Sequence, residues 1–217
     1  LQHAGLDRGT NRDRVTTVSL SEGLLAAMAA CGWDSTVVVA EDGEVWAFGS
    51  GEEGKLGLDL PFEHELLQVR VGGREVFDAR VVMVATGCHH SAALVADGSL
   101  YTWGLGHAGQ LGHGNEESQL RPMRLDKALF GASPAVQVAC GWFHTVVLTA
   151  DSRVLTCGEG DRGQFGHGDT ANKLVLTQVE MEHFKGVRIV MVAAGYEHSA
   201  AVGEDGSVCT WGKGDNG

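Results

Sequence analysis

Basic runs, long apolar stretches and closely paired cysteines are missing from this 217-residue chain, and each absence removes a class of function. With 16 basic against 28 acidic residues and a formal net charge of −12, the chain has no lysine or arginine cluster to collect counterion-release energy at nucleic-acid phosphates. The same balance repels anionic membrane surfaces. No apolar run approaches the ~20 residues that span a bilayer, and no secretory leader is expected. The five cysteines, Cys31, Cys88, Cys140, Cys157 and Cys209, are odd in number and include no Cys-x-x-Cys pair, so neither a disulfide framework nor a zinc site is expected. Cys31 and Cys140 each end an apolar run just before a glycine and are expected as small buried hydrophobes in a reducing compartment. The expectation is a soluble chain of the cytoplasm or nucleus that binds neither nucleic acid through a basic patch nor a membrane.

Glycine is in excess. Its 32 residues are about 15% of the chain, near twice the usual share, so many backbone positions are left-handed or closely packed. One stretch, "GLGHAGQLGHGN" from residue 104, has the Gly-x-Gly-x-x-Gly spacing of a dinucleotide loop. The same loop recurs as "GSGEEGKLG" at 49, "GEGDRGQFGHGD" at 158 and "GKGDNG" at 212, at intervals of 55, 54 and 54 residues. A fixed period of that size marks a repeat architecture, and no helical pattern follows any copy, which a nucleotide-binding βαβ unit requires. The loops read as tight connections between strands, with Leu56, Leu111 and Phe165 plugging between units. No cofactor is expected.

Each unit repeats in register beyond the loop. A second glycine stands 17 residues earlier, in "ACGWDST", "ATGCHHS", "ACGWFHT" and "AAGYEHS", at Gly32, Gly87, Gly141 and Gly195. Across one unit, "VVMVATG" is an apolar run, "HSAALVA" alternates, Asp97–Gly98 is a two-residue hairpin turn and "SLYTWG" alternates again. After the glycine loop "SQLRPMRL" supplies a fourth, more polar strand, where Pro122 suits an edge that needs no ladder donor. Four antiparallel strands repeated at this period make a β-propeller blade, and the fold class is all-β. Neither the Trp-Asp pair of WD40 repeats nor the double glycine of kelch repeats recurs from unit to unit.

The segment "VACGWFHTVVLTADSRVLTCGEGDRGQFGHGD", Val138 to Asp169, resembles the repeat of the regulator of chromosome condensation family. The resemblance covers residues 28–217 as four units, 28–81, 82–136, 137–190 and an incomplete 191–217, with residues 1–27 as the tail of a preceding unit. It implies a seven-bladed ring of RCC1-like type, of which this chain supplies about four blades, and hence open blade edges that favour self-association. The first unit departs from the pattern, with Ser35 where the others have His90, His144 and His198. Those histidines sit on different blades, too far apart for shared metal ligation, so a hydrogen-bonded structural role is expected and no metal site. His113 and His167, after the glycine loops, are expected on exposed turns.

No nucleophile, base and orienting acid can be assembled from the spacing, so no catalytic residue and no enzyme activity are expected. The candidate site lies where the units differ, between the unit-opening glycine and the histidine position. These residues are Trp33 and Asp34, His89 beside Cys88, Trp142 and Phe143, and Tyr196 and Glu197. Their shared loop class gathers them on one propeller face, and aromatics beside charge are typical binding anchors. The resemblance implies that this face engages protein partners. It also implies that Asp34, His89 and Glu197 match loop positions used for guanine-nucleotide exchange on a Ran-like small GTPase. The exchange factor of the family carries an extra hairpin wedge for which the 55, 54 and 54 spacings leave no room. A third expectation, tryptophan-based ultraviolet-B sensing, follows from the likeness of "GWFHT" to a plant photoreceptor motif, but the arginines that would flank its indoles are absent.

Overall fold

The computed structural model describes residues 23–58 and 69–214. Of the expected tail of a preceding repeat, residues 1–27, all but the last five residues lie outside them, as do the last three residues of the chain. Blade 1 is built from β1 (Ala26–Cys31), β2 (Ser35–Ala40), β3 (Val45–Gly49) and β4 (Val69–Gly72). Blade 2 follows with β5 (Val81–Thr86), β6 (His90–Val95), β7 (Leu100–Gly104) and β8 (Gln119–Arg124), and blade 3 with β9 (Ala135–Cys140), β10 (His144–Thr149), β11 (Val154–Gly158) and β12 (Lys173–Gln178). Blade 4 holds β13 (Ile189–Ala194), β14 (His198–Gly203) and β15 (Val208–Gly212). In each sheet the strands lie in sequence order and pair antiparallel, which is the up-and-down blade of an all-β propeller. Pro122 falls in β8, the outer strand of its blade. Among the described residues no helix is long and apolar enough to cross a membrane.

The apolar core lies between the blades, because alternate residues of one strand face opposite neighbours. Ala93 and Val95 of β6 join Val37, Val39, Val45 and Ala47 of blade 1, whereas Ala92 and Leu94 join Val138, Val147 and Leu155 of blade 3. Leu56, Leu111 and Phe165 are buried, as their loops' role as plugs requires. Short helical turns not expected from the sequence precede β5, β9 and β13: α1 (Arg74–Phe77) and the 3-10 turns Lys127–Phe130 and Met181–Phe184. Each drives one phenylalanine, Phe77, Phe130 or Phe184, into the core between blades.

Polar contacts between blades repeat with the period. The carbonyls of Lys55, Gln110 and Gln164, each at the same place in a glycine loop, accept hydrogen bonds from the next blade's Ser91, Thr145 and Ser199 hydroxyls at 3.0, 2.7 and 2.9 Å. The Lys55 and Gln164 carbonyls also accept from the indole N–H groups of Trp103 and Trp211 at 2.9 and 2.8 Å. With their protons given to carbonyls, the Thr145 and Ser199 hydroxyls accept from buried histidines, His90 Nε2 at 2.7 Å and His144 Nε2 at 3.0 Å, whereas Ser91, which faces the blade with Ser35 in the histidine position, has the Thr86 hydroxyl at 3.0 Å instead. Near the ring axis the opening glycines touch. A Cβ on Gly32 would stand 2.3 Å from the Gly87 carbonyl oxygen, and one on Gly87 would stand 2.0 Å from that of Gly141, so no other residue fits.

Two expectations are corrected. Cys140 is buried against blade 2, but Cys31, its counterpart in β1, is exposed because the corresponding side of blade 1 has no neighbour among the described residues. His113 and His167 are half-buried rather than exposed, and each bonds a threonine hydroxyl of its own blade, Thr102 and Thr156, at 3.0 Å.

Candidate functional site

An antiparallel blade returns its first-to-second and third-to-fourth connections to the same end. The variable loops after Gly32, Gly87, Gly141 and Gly195 therefore share one face with the glycine loops. The glycines that end β3, β7, β11 and β15 make this possible: with φ of 111°, 104°, 115° and 111°, they pass the carbonyls of Asp34, His89, Phe143 and Glu197 at distances no Cβ would survive.

On that face the aromatic candidates form a continuous stack. The His89 ring lies parallel to Phe143 at 4.9 Å, Phe143 stacks on Trp142 at 4.6 Å, and Trp142 stacks on Tyr196 at 3.9 Å. Rings from three blades are thus joined, with His107 set edge-on against Phe143 at 4.8 Å. The Trp142 indole N–H donates to His89 Nε2 at 2.8 Å, so Nε2 is the unprotonated nitrogen and Nδ1 donates to Glu53 Oε2 at 2.6 Å. The Trp142 backbone N–H donates to the Tyr196 carbonyl at 3.0 Å, tying blade 3 to blade 4. Trp33, Trp142 and Tyr196 line one concavity of about 230 Å³ at the mouth of the ring, with Gly32, Gly87, Gly141 and Gly195 between them. Trp33 is 75% exposed and Tyr196 44% exposed, an unusual presentation of large aromatic surface.

The acidic candidates are placed differently. Asp34 pairs with the buried Lys55 ammonium at 2.6 Å, and Glu197 is buried against Lys213 at 2.7 Å with Arg162 at 3.9 Å. Both turn toward glycine-loop cations and hold the two loop classes together. Sequence reasoning treated the glycine loops as scaffolding and so missed Glu53, Lys55, His107, Arg162 and Lys213. The signal was available, since strands that alternate in direction bring both loop classes to one end. Local acidity is marked by perturbed groups: burial, then Asp161 and Glu197, raises the Glu159 carboxyl against the pull of Arg162. Burial, then Asp34, raises the Cys88 thiol. Among the described residues no group of three or more potential ligands is placed to hold a metal ion.

Comparison with known proteins decides the family: the profile of the RCC1-like domain matches residues 3–217. The chain belongs to the RCC1-like domain family. It is 32% identical over 209 residues to the ultraviolet-B receptor UVR8 of Arabidopsis thaliana, covering 95% of this chain and 46% of that protein. It is 38% identical over 183 residues to the human E3 ubiquitin-protein ligase HERC2, covering 82% of this chain and 4% of the ligase. The solved structure of Prp20p from Saccharomyces cerevisiae, described with its binding properties to Gsp1p and histones, superposes with a TM-score of 0.75 at 26% identity over 89% of this chain and 46% of that one. The chain thus spans less than half the length of each of these RCC1-like relatives.

Proposed function

We propose that this RCC1-like chain is an interaction module that binds a protein partner through the aromatic mouth of its loop face and performs no chemistry of its own. One observation carries the reading: the stack from His89 to Tyr196, with Trp33 across the concavity, puts large aromatic surface from all four blades on one face. Exposed aromatics around a rigid rim are what hot spots of protein interfaces consist of. Asp34 and Glu197 act here by fixing the loops, while Trp33, Trp142, Phe143, Tyr196 and His89 make the contact surface. The same reading puts the chain in the cytoplasm or nucleus.

The test is capture from cell extract on the immobilised chain, with bound proteins quantified against a Trp33→Ala/Tyr196→Ala variant. Loss of a defined set of proteins in the variant is expected; identical capture by both chains refutes the proposal. Nucleotide exchange on a Ran-like GTPase is the alternative that Asp34, His89 and Glu197 favour by position, and acceleration of labelled-GDP release from Ran would replace the reading above. Against it, Asp34 and Glu197 are already engaged by Lys55 and Lys213. Ultraviolet-B sensing has less support on this face, because the neighbours of Trp142 are His89, Phe143 and Tyr196 rather than arginine.

A further inference from the structure

The interaction reading leaves the partner's chemistry open, and the mouth constrains it. We propose that the concavity between Trp33, Trp142 and Tyr196 receives an arginine side chain from an extended basic segment of the partner. This deepens the reading above and rests on it.

Charge complementarity is the first argument. Asp34, Glu53, Glu159, Asp161 and Glu197 outnumber Lys55, Arg162 and Lys213 around the mouth, and the whole chain carries a net charge of −12. A cation approaching this face is attracted at long range and meets π-faces at short range. The raised Glu159, Cys88 and Tyr196 groups each count a nearby carboxylate among the causes after burial, which agrees with a negative local field.

Ring geometry selects among cations. The rings lie nearly parallel, with interplanar angles of 7° for His89 on Phe143, 24° for Phe143 on Trp142 and 27° for Trp142 on Tyr196. A box of perpendicular walls would suit a spherical quaternary ammonium; a parallel stack ending at a half-exposed Tyr196 suits a planar guanidinium that extends it. A second copy of this chain is a poorer donor. Two copies, each with a net charge of −12, repel each other.

The test titrates the isotopically labelled 217-residue chain with end-blocked Gly/Ser peptides carrying arginine, lysine, trimethyllysine or citrulline at the same positions, following the indole N–H resonances of Trp33 and Trp142. The arginine peptide is expected to move both resonances, the lysine peptides to bind roughly tenfold more weakly, and citrulline to bind no better than an unsubstituted peptide. Removing Trp33 and Tyr196 together is expected to weaken the arginine peptide at least roughly tenfold, with Trp33→Phe retaining most of the affinity. Because both side chains are exposed, unchanged thermal midpoints confirm that these variants fold. Equal binding of citrulline, tighter binding of either lysine form, or arginine binding that leaves Trp33 unmoved overturns the proposal. If no peptide binds while extract capture still needs Trp33 and Tyr196, the arginine inference alone falls. If capture needs neither, both readings fall.

Discussion

Acid should loosen this propeller through two buried histidines at its seams, well before its carboxylates titrate. His90 Nε2–H and His144 Nε2–H are spent on Thr145 and Ser199, whose own protons go to the Gln110 and Gln164 carbonyls. Nδ1 of each ring is buried without a partner among the described residues, so a proton added there would be an unsatisfied buried charge. Burial, reinforced by neighbouring histidines, accordingly holds His90 down to about 3 and His144 down to about 4, from an ordinary 6.5. The unfolded chain takes up these protons below about pH 6.5 and the folded chain does not, so folding stability is fully present above that pH and is lost as pH falls toward the folded values. At pH 5 each histidine removes roughly 2 kcal/mol, and the pair about 4 kcal/mol, relative to pH 7.5. With an m-value near 2 kcal/mol/M, that is a drop of about 2 M in the urea midpoint. His90→Gln keeps a donor for Thr145 but cannot titrate, and should recover about half of the pH dependence; adding His144→Gln should recover most of it. Urea titrations at pH 7.5, 6 and 5, followed by far-ultraviolet circular dichroism, measure this. Parallel pH profiles for the parent and both variants would refute the tautomer assignment and the seam argument together.

Three further outcomes follow from the packing. Gly87→Ala, which would put a Cβ 2.0 Å from the Gly141 carbonyl oxygen, should cost several times the ~1 kcal/mol of Gly163→Ala, whose Cβ meets nothing within 4 Å; thermal melts of the two variants compare them. Phe130→Ala empties an inter-blade plug and should cost about 3–5 kcal/mol by urea titration, whereas a loss under about 1 kcal/mol would show that the turn is not a core element. Gln137 clamps the Val192 N–H and carbonyl at 2.9 and 3.1 Å, so Gln137→Leu should speed hydrogen exchange at Val192 about tenfold without changing the strands of blade 2.

The strands were legible in the sequence because each face of a blade strand packs against a different blade, which writes period-2 alternation such as "HSAALVA" directly into the chain. The period was legible because every blade must present the same glycines to its neighbours at the axis. What escaped were contacts that join one unit to the next: His90 to Thr145, His144 to Ser199 and Gln137 to Val192, all 55 residues apart. They become visible once each polar residue is compared with its counterpart one period on. The short turns carrying Phe77, Phe130 and Phe184 were hidden because four residues are too few to show a helical period. Cys31 was misplaced because its apolar context is that of Cys140, while burial depends on a neighbouring blade that local sequence does not report. At the candidate site, Trp33, Trp142, Phe143 and Tyr196 stood out by varying within a repeated frame. Asp34 and Glu197 stood out equally, yet their partners sit on the glycine loops, so their charge is turned inward.

Hydrogen exchange of the chain alone and in complex with a captured partner tests the central claim most directly. Protection is expected at residues 32–35, 87–90, 141–144 and 195–198 and in the adjoining glycine loops, with the hairpins at 41–44, 97–99, 151–153 and 205–207 on the opposite face unchanged. Protection confined to those hairpins, with the aromatic loops exchanging as in the free chain, would contradict it.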